Sequence, residues 1–402
     1  MRLIRQLALA LLLAAPLAAS ADSKPLPAIE SFFENAAFGG AQLSPSGRHL
    51  AALVGGNGHR DFLVVIDLQT NDMKRVAAYS DADVGAFQWV NDERLLYSMT
   101  DKQVAPGELH YAPGLYAVNR DGSATLQLAA RRGGANLVRK VLPWHTYMLN
   151  QRGAQDSDSI YVISAEGDNG LRLLQLNTVT GRSQQVGRPA PAKGWMLDDK
   201  GEPRLMTSTE QQTTRLHYRD PASGEWRVLA SFDTYKRIGG VSPVGFGPDG
   251  TLYVSTRMQG DTAALYRYDL AAAKVVPEPV LVTTGYDFSG RLVTAGGKLL
   301  GVRFATDTRS TAWLDPAMKA LQDKVDAALP ATVNLISVPP RAQTPWVLVE
   351  SFSDVVPPSF ALYNAETGLV NPVANSRPRI DPARMGRQQV VRYKARDGME
   401  IP

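Results

Sequence analysis

Short runs that alternate apolar and polar residues recur along most of the chain, broken by Gly, Asp, Asn and Pro. Phe62–Leu68, Arg94–Met99, Gly114–Val118, Ser159–Ser164, Thr251–Ser255 and Trp346–Val349 are examples. Alternation with a period of two, punctuated by turn residues, predicts β-strands, and helical periodicity is nearly absent. The exception is Asp315–Ala328, where Met318, Leu321, Val325 and Leu329 fall on one helical face. Asp315 suits the N-cap and Pro316 the first helical position, so a helix is expected over residues 315–329.

The strands also repeat at longer range. An aromatic or aliphatic strand ends in Asp or Asn before a polar turn in "LVVIDLQTND", "LYAVNRDG", "LLQLNTVTG", "LHYRDPASG", "LYRYDLAAA", "STAWLDPAM" and "FALYNAETG". The turn residues are Asp67, Asn119, Asn177, Asp220, Asp269, Asp315 and Asn364, spaced about fifty residues apart. A second phrase precedes several of them: "LSPSGRHLAAL", "WVNDERLLYSM", "LDDKGEPRLMTS" and "FGPDGTLYVST". Asp and Asn belong in such turns because their short side chains accept hydrogen bonds from the local backbone. Each unit therefore reads as a small antiparallel sheet with two apolar faces. Packing such sheets radially covers both faces and predicts an all-β protein, a β-propeller over residues 43–374 for which the repeats favour seven four-stranded blades over eight, or six with an insertion. Residues 22–42 are then a lead-in.

The "SPDG"-like phrases "LSPSGRHL" and "FGPDGTLY" resemble the propeller of the prolyl oligopeptidase family of serine peptidases. The helical insertion and the following "VLVESFSDVVPPSFALYNAETGLV" are similar to the last blade of bacterial members, and the terminal "VVRYKARDGMEIP" to the entry into their α/β-hydrolase domain. The resemblance implies that residues 375–402 are a linker and the first strand of a catalytic domain that is missing from this chain. It implies a non-catalytic propeller that gates peptide substrates for a Ser-Asp-His triad carried elsewhere. The partners implied are that hydrolase domain and peptides. Without its sheet, Gln388–Pro402 is expected to be extended or poorly ordered. A free-standing periplasmic propeller that docks proteins or ligands is the alternative.

The first residues change the setting. Arg2 and Arg5 precede the apolar stretch Leu7–Ala19 and the small residues Ala19-Ser20-Ala21, the layout of a signal peptide over residues 1–21. A periplasmic or secreted protein without a membrane anchor follows. The absence of cysteine removes a lipoprotein anchor, a thiol nucleophile and thiolate metal sites. The pI of 9.1 overstates the basic character. Lys and Arg number 43 against 39 Asp and Glu, and two of the arginines lie in the signal peptide. Scattered charge such as Lys74-Arg75 or Arg131-Arg132 is solvated surface, and nucleic acid is not an expected partner.

Candidate chemistry is thin. No Gly-x-Ser-x-Gly elbow occurs; the nearest pattern is "GGVSPVG" around Ser242, read as structural. His49, His59, His110, His145 and His217 show no metal-ligand spacing. Asp156 with Asp158, and Glu166 with Asp168, are read as turns, and Gly55–Gly58 as a loop without a phosphate-binding helix. Dipeptidyl peptidases of the resembled family anchor a free amine with adjacent glutamates, and this chain has no Glu-Glu pair. The six tryptophans are assigned to packing. No catalytic residue, metal ligand or cofactor site is expected in the chain, which alone should be inactive.

Overall fold

The computed structural model describes residues 27–56, 58–104, 114–130, 141–165, 167, 170–236, 239–258, 260–398 and 400–401. The expected signal peptide, His110, the Arg131-Arg132 pair, Glu166 and Asp168 lie outside the described residues.

Seven antiparallel sheets follow one another along the chain, each a meander of sequence neighbours. They span residues 38–77, 83–130, 146–185, 192–233, 242–281, 290–313 and 333–375, and are blades one to seven. Blade one begins at Phe38, inside the segment read as lead-in. Its strand was illegible because Gly39 and Gly40 interrupt the alternation, and the pairing itself shifts register between Phe38 and Gly40. Blade two adds a short parallel strand, Leu142–Pro143, at its outer edge. Blade six has three strands, and the helix Pro316–Ala328 follows where other blades place a fourth.

Packing explains why the blades are apolar on both faces. A separate hydrophobic cluster fills each seam between blades. Trp89, Leu95, Tyr97 and Leu63 pack between blades one and two; Leu205, Leu252 and Tyr266 between four and five. The helix covers the seam of blades six and seven with Met318 and Val325 against Ile336, Val349 and Tyr363. The ring closes without strand exchange. Leu50 of blade one meets Leu348 and Leu362 of blade seven, and the amides of Arg341 and Gln343 donate to the Pro45 and Ser46 carbonyls.

The repeated turn is also a repeated set of hydrogen bonds. In Asp67, Asn177, Asp220, Asp269 and Asn364, one side-chain oxygen accepts from the amides two and three residues on. Four residues on, Asn71, Gly181, Gly224, Ala273 and Gly368 take the left-handed conformation and turn the chain back. Asp315 makes the same two contacts, to Ala317 and Met318, but they cap a helix. The residue four on is Lys319, whose amide donates to the Asp315 carbonyl, and the turn simply continues. Asn119 departs from the pattern: its side-chain oxygen accepts from Arg94, and Asp121 holds the turn instead.

The meander gives the disc two distinct faces. The Asp/Asn hairpins and the inner turns lie on one, here the hairpin face. The blade-to-blade connections lie on the other, the crossover face. Residues 376–401 return to the crossover face, where Gln388 donates to Asp354 and Arg392 stacks on Tyr286 at 4.9 Å. The terminal segment does find a partner strand, contrary to expectation: Tyr393 and Lys394 pair with Ile401 and Glu400 across a turn closed by Gly398. The Asp-Gly turn is short enough for the segment to pair with itself, independently of the propeller.

Candidate functional site

The residues singled out in the sequence do not converge. Ser242 lies on the inner strand of blade five, opposite Ser255. His217 is buried in blade four and bonds to Ser208 at 2.8 Å. That Ser-His contact looks like half of a catalytic triad, but both residues are buried and, among the described residues, the imidazole has no carboxylate partner. Burial, with the Arg215 charge secondary, holds His217 below the ordinary histidine range, so it is a neutral hydrogen-bonding core residue. His49 is likewise held low, chiefly by burial and then by the Arg120 charge, although Asp67 lies 3.5 Å away. His59 is exposed, and His145 stacks edge-on against Trp144.

Asp158 accepts from Asn91 at 3.0 Å in a surface turn. No group of three or more metal-ligating side chains occurs among the described residues. The Gly55–Gly58 loop is shaped by a close approach: a Cβ on Gly55 would lie 1.9 Å from the Asp61 Oδ1. Asp61 and Asp83 are buried there with Arg60, Asp101 and Lys102. Two cations answer three carboxylates, and the Arg60 charge is reinforced above its usual range by Asp101 first. Trp89 and Trp195 serve the seams, donating to the Gln42 and Leu171 carbonyls, each in the preceding blade, whereas Trp144 is exposed.

Two larger features have functional shape. The first is the central channel. Its wall includes a cavity of about 520 Å³, bounded by the inner strands of blades four to seven and by residues 150–155 of blade three. That loop is tied on several sides. Gln151 donates to Trp195 and accepts from Leu197, Gln155 donates to Trp89, and Arg341 reaches over from blade seven to the Ala154 and Gln155 carbonyls. Gly201 makes the closeness possible, since a Cβ there would lie 2.2 Å from the Ala154 nitrogen. Arg152, Arg291 and Arg303 line the same cavity.

The second feature is the crossover face. Phe33, Tyr235, Met258, Val282, Val391 and Tyr393 are exposed there, Phe33 at 82% and Tyr235 at 78%. Among the described residues, the hairpin face exposes fewer large apolar side chains, Met73, Val179, Leu314 and Leu369, each in a different blade. Scattered apolar residues are ordinary surface, whereas a concentration on one face marks a contact surface.

No protein-family model matches the sequence, and no curated protein sequence matches it significantly. Solved structures do match. A puromycin-hydrolyzing peptidase from Mycobacterium tuberculosis aligns over 91% of this chain with a TM-score of 0.57 at 11% identity. One of two prolyl endopeptidases, described for the role of inter-domain dynamics in catalysis and specificity, aligns over 92% with a TM-score of 0.56 at 12% identity. Prolyl oligopeptidase B from Galerina marginata aligns over 93% with a TM-score of 0.53 at 12% identity. The chain spans 57%, 54% and 56% of those three chains. The seven-bladed fold is therefore that of the propeller in prolyl-oligopeptidase-type peptidases.

Proposed function

We propose that this chain is the non-catalytic propeller of an exported serine peptidase of the prolyl oligopeptidase type. The crossover face seats an α/β-hydrolase domain, and the propeller limits which peptides reach that domain's serine. The observation that carries the reading is the asymmetry of the two faces. Exposed apolar side chains lie where both ends of the propeller emerge, and Gln388 and Arg392 of the terminal segment contact that same face. A second domain covering it would remove those side chains from water, at roughly 25 cal/mol for each Å² of apolar surface buried. The fold match to peptidases of nearly twice this length supports the same reading.

Gating follows from stiffness. A propeller whose seams are filled holds its channel at a width set by blade number, and the 150–155 loop narrows it further. In the proposed enzyme, acyl transfer belongs to the hydrolase domain, and this chain contributes exclusion. The test is fluorophosphonate labelling of the protein as its own cells make it, captured with an antibody to the propeller. The expected result is a labelled serine in a polypeptide continuous with or bound to the propeller, and none within residues 27–401. Absence of any labelled serine in the captured material, or a label on Ser208 or Ser242, would overturn the proposal.

A further inference from the structure

Several arginines of this molecule are answered by a carboxylate. Arg60, Arg120, Arg204, Arg257, Arg309 and Arg379 each form an ion pair. Of the four that line the channel cavity, Arg341 is spent on backbone carbonyls, and Arg152, Arg291 and Arg303 have no carboxylate partner among the described residues. Arg291 and Arg303 stand directly opposite one another on the first two strands of blade six. Like charges at such a position destabilise a sheet. Arg303 donates only to the Thr311 hydroxyl and the Ile336 carbonyl. Arg152 and Arg291 have no hydrogen bond or ion pair among the described residues.

The nearby carboxylates do not make up the deficit. Glu350 is held by Arg309 at 2.7 Å, and Asp198 by Arg204 at 2.7 Å. Asp199 also borders the cavity but sits exposed on the blade-four turn. The two forward N–H groups of Arg341 are spent on the Ala154 and Gln155 carbonyls. The three cations also feel one another. Arg152 and Arg291 are open to the channel and Arg303 is half-buried; enclosure by the channel wall and then the Arg291 charge lower Arg152, and push Arg303 down to about 10. Arg303 remains charged at neutral pH, so its side of the repulsion is present under ordinary conditions.

We propose that this cavity is a binding site for a small polyvalent anion, of the diphosphate or polycarboxylate kind, held between Arg152, Arg291 and Arg303. A ligand with two or more negative charges would supply each guanidinium with the acceptor it lacks and cancel the repulsion between them. The volume suits a small metabolite rather than a polymer. The fold has no need of the charges, because a neutral residue opposite Arg303 would pair as well or better. This site stands whether or not a hydrolase domain occupies the crossover face.

Calorimetric titration and thermal unfolding of the chain test it, with pyrophosphate, citrate and acetate as probes at constant ionic strength set by chloride. Pyrophosphate or citrate, whichever class the site accepts, should bind with one-to-one stoichiometry and raise the melting temperature, while acetate should not. Arg152→Gln and Arg291→Gln should each weaken binding at least about tenfold, the loss of one charge-assisted contact. Without ligand, both variants should melt at or above the parent temperature, which a purely structural arginine would not allow. Failure of both polyanions to bind overturns the proposal. So does binding at full affinity in either variant, which would place the anion elsewhere.

Discussion

Blades two and six follow the same meander and carry arginine in opposite ways. In blade two, Trp89, Leu95, Leu96, Tyr97 and Leu115 are removed from water, and Arg94 is buried among them with no ion pair among the described residues. Its guanidinium makes five hydrogen bonds, to Asn119, Ala124 and Thr178, and so stitches blade two to blade three. In blade six the strands are half-buried at most positions, the fourth strand gives way to a helix, and Arg303 faces Arg291. A buried cation is tolerated when fixed acceptors meet its donors, even though burial depresses its pKa. A cation facing another cation is a site waiting for an acceptor. One arginine belongs to the fold, the other to the channel.

The sharpest way to break this comparison is to remove the same chemistry from both blades. Arg94→Met should cost at least about 3 kcal/mol, because it strands buried carbonyls and the Asn119 side chain. Arg303→Met should change stability by no more than about 1 kcal/mol, since a lost carbonyl contact is offset by relieved repulsion. Urea midpoints at constant slope compare them. Equal losses in the two blades would erase the distinction.

A smaller effect separates the hairpins from the helix. Asp315→Ala removes an N-cap whose oxygen meets two amides, and should cost about 1 kcal/mol. Ala273→Gly should instead stabilise by about 0.5 kcal/mol, because Ala273 is held at a φ of 49° that glycine adopts freely. Thermal unfolding of the two variants checks both signs. If Ala273→Gly destabilises, the left-handed fourth position is not what ends the hairpin turn.

The smallest effect concerns His217, a neutral counterpart of Arg94 in the dry core of blade four. Its folded pKa lies below the ordinary 6.5, so beneath pH 6.5 the unfolded chain takes up a proton that the folded chain refuses. The stability from this group is full above pH 6.5 and is lost as pH falls toward the folded pKa. His49 acts with the same sign. His217→Gln should flatten the decline in unfolding free energy between pH 7 and 5 relative to the parent; an unchanged slope would contradict the assignment.

Much of this architecture was legible because it is local. The Asp and Asn turns announce themselves by side chains that serve the next three residues, and Asp315-Pro316 reads as a helix start for the same reason. What was hidden depends on distance along the chain. Nothing near Asn119 reveals that its oxygen belongs to Arg94, and nothing near Gly55 reveals the Asp61 carboxylate packed against it. The channel arginines were concealed twice. Arg152 comes from one blade and the Arg291–Arg303 pair from another, and arginines that end in salt bridges look identical in sequence. The usable signal, an arginine on an inner strand or the turn after it, gains meaning only once the blades are closed into a ring. The self-paired hairpin at Tyr393–Ile401 was missed although its Asp-Gly turn was visible, because the strand was expected to await a different sheet.

The central claim, that the crossover face seats a catalytic domain, is tested most directly by lysine cross-linking of the protein as its own cells produce it. Lys102, Lys236 and Lys394 are on or beside the crossover face, whereas Lys74, Lys200 and Lys298 are exposed on the hairpin face. The account predicts links from the first group to peptides of a serine-hydrolase sequence and none from the second. Links to such peptides from Lys200 and Lys298, with Lys102 and Lys236 unlinked, would contradict it.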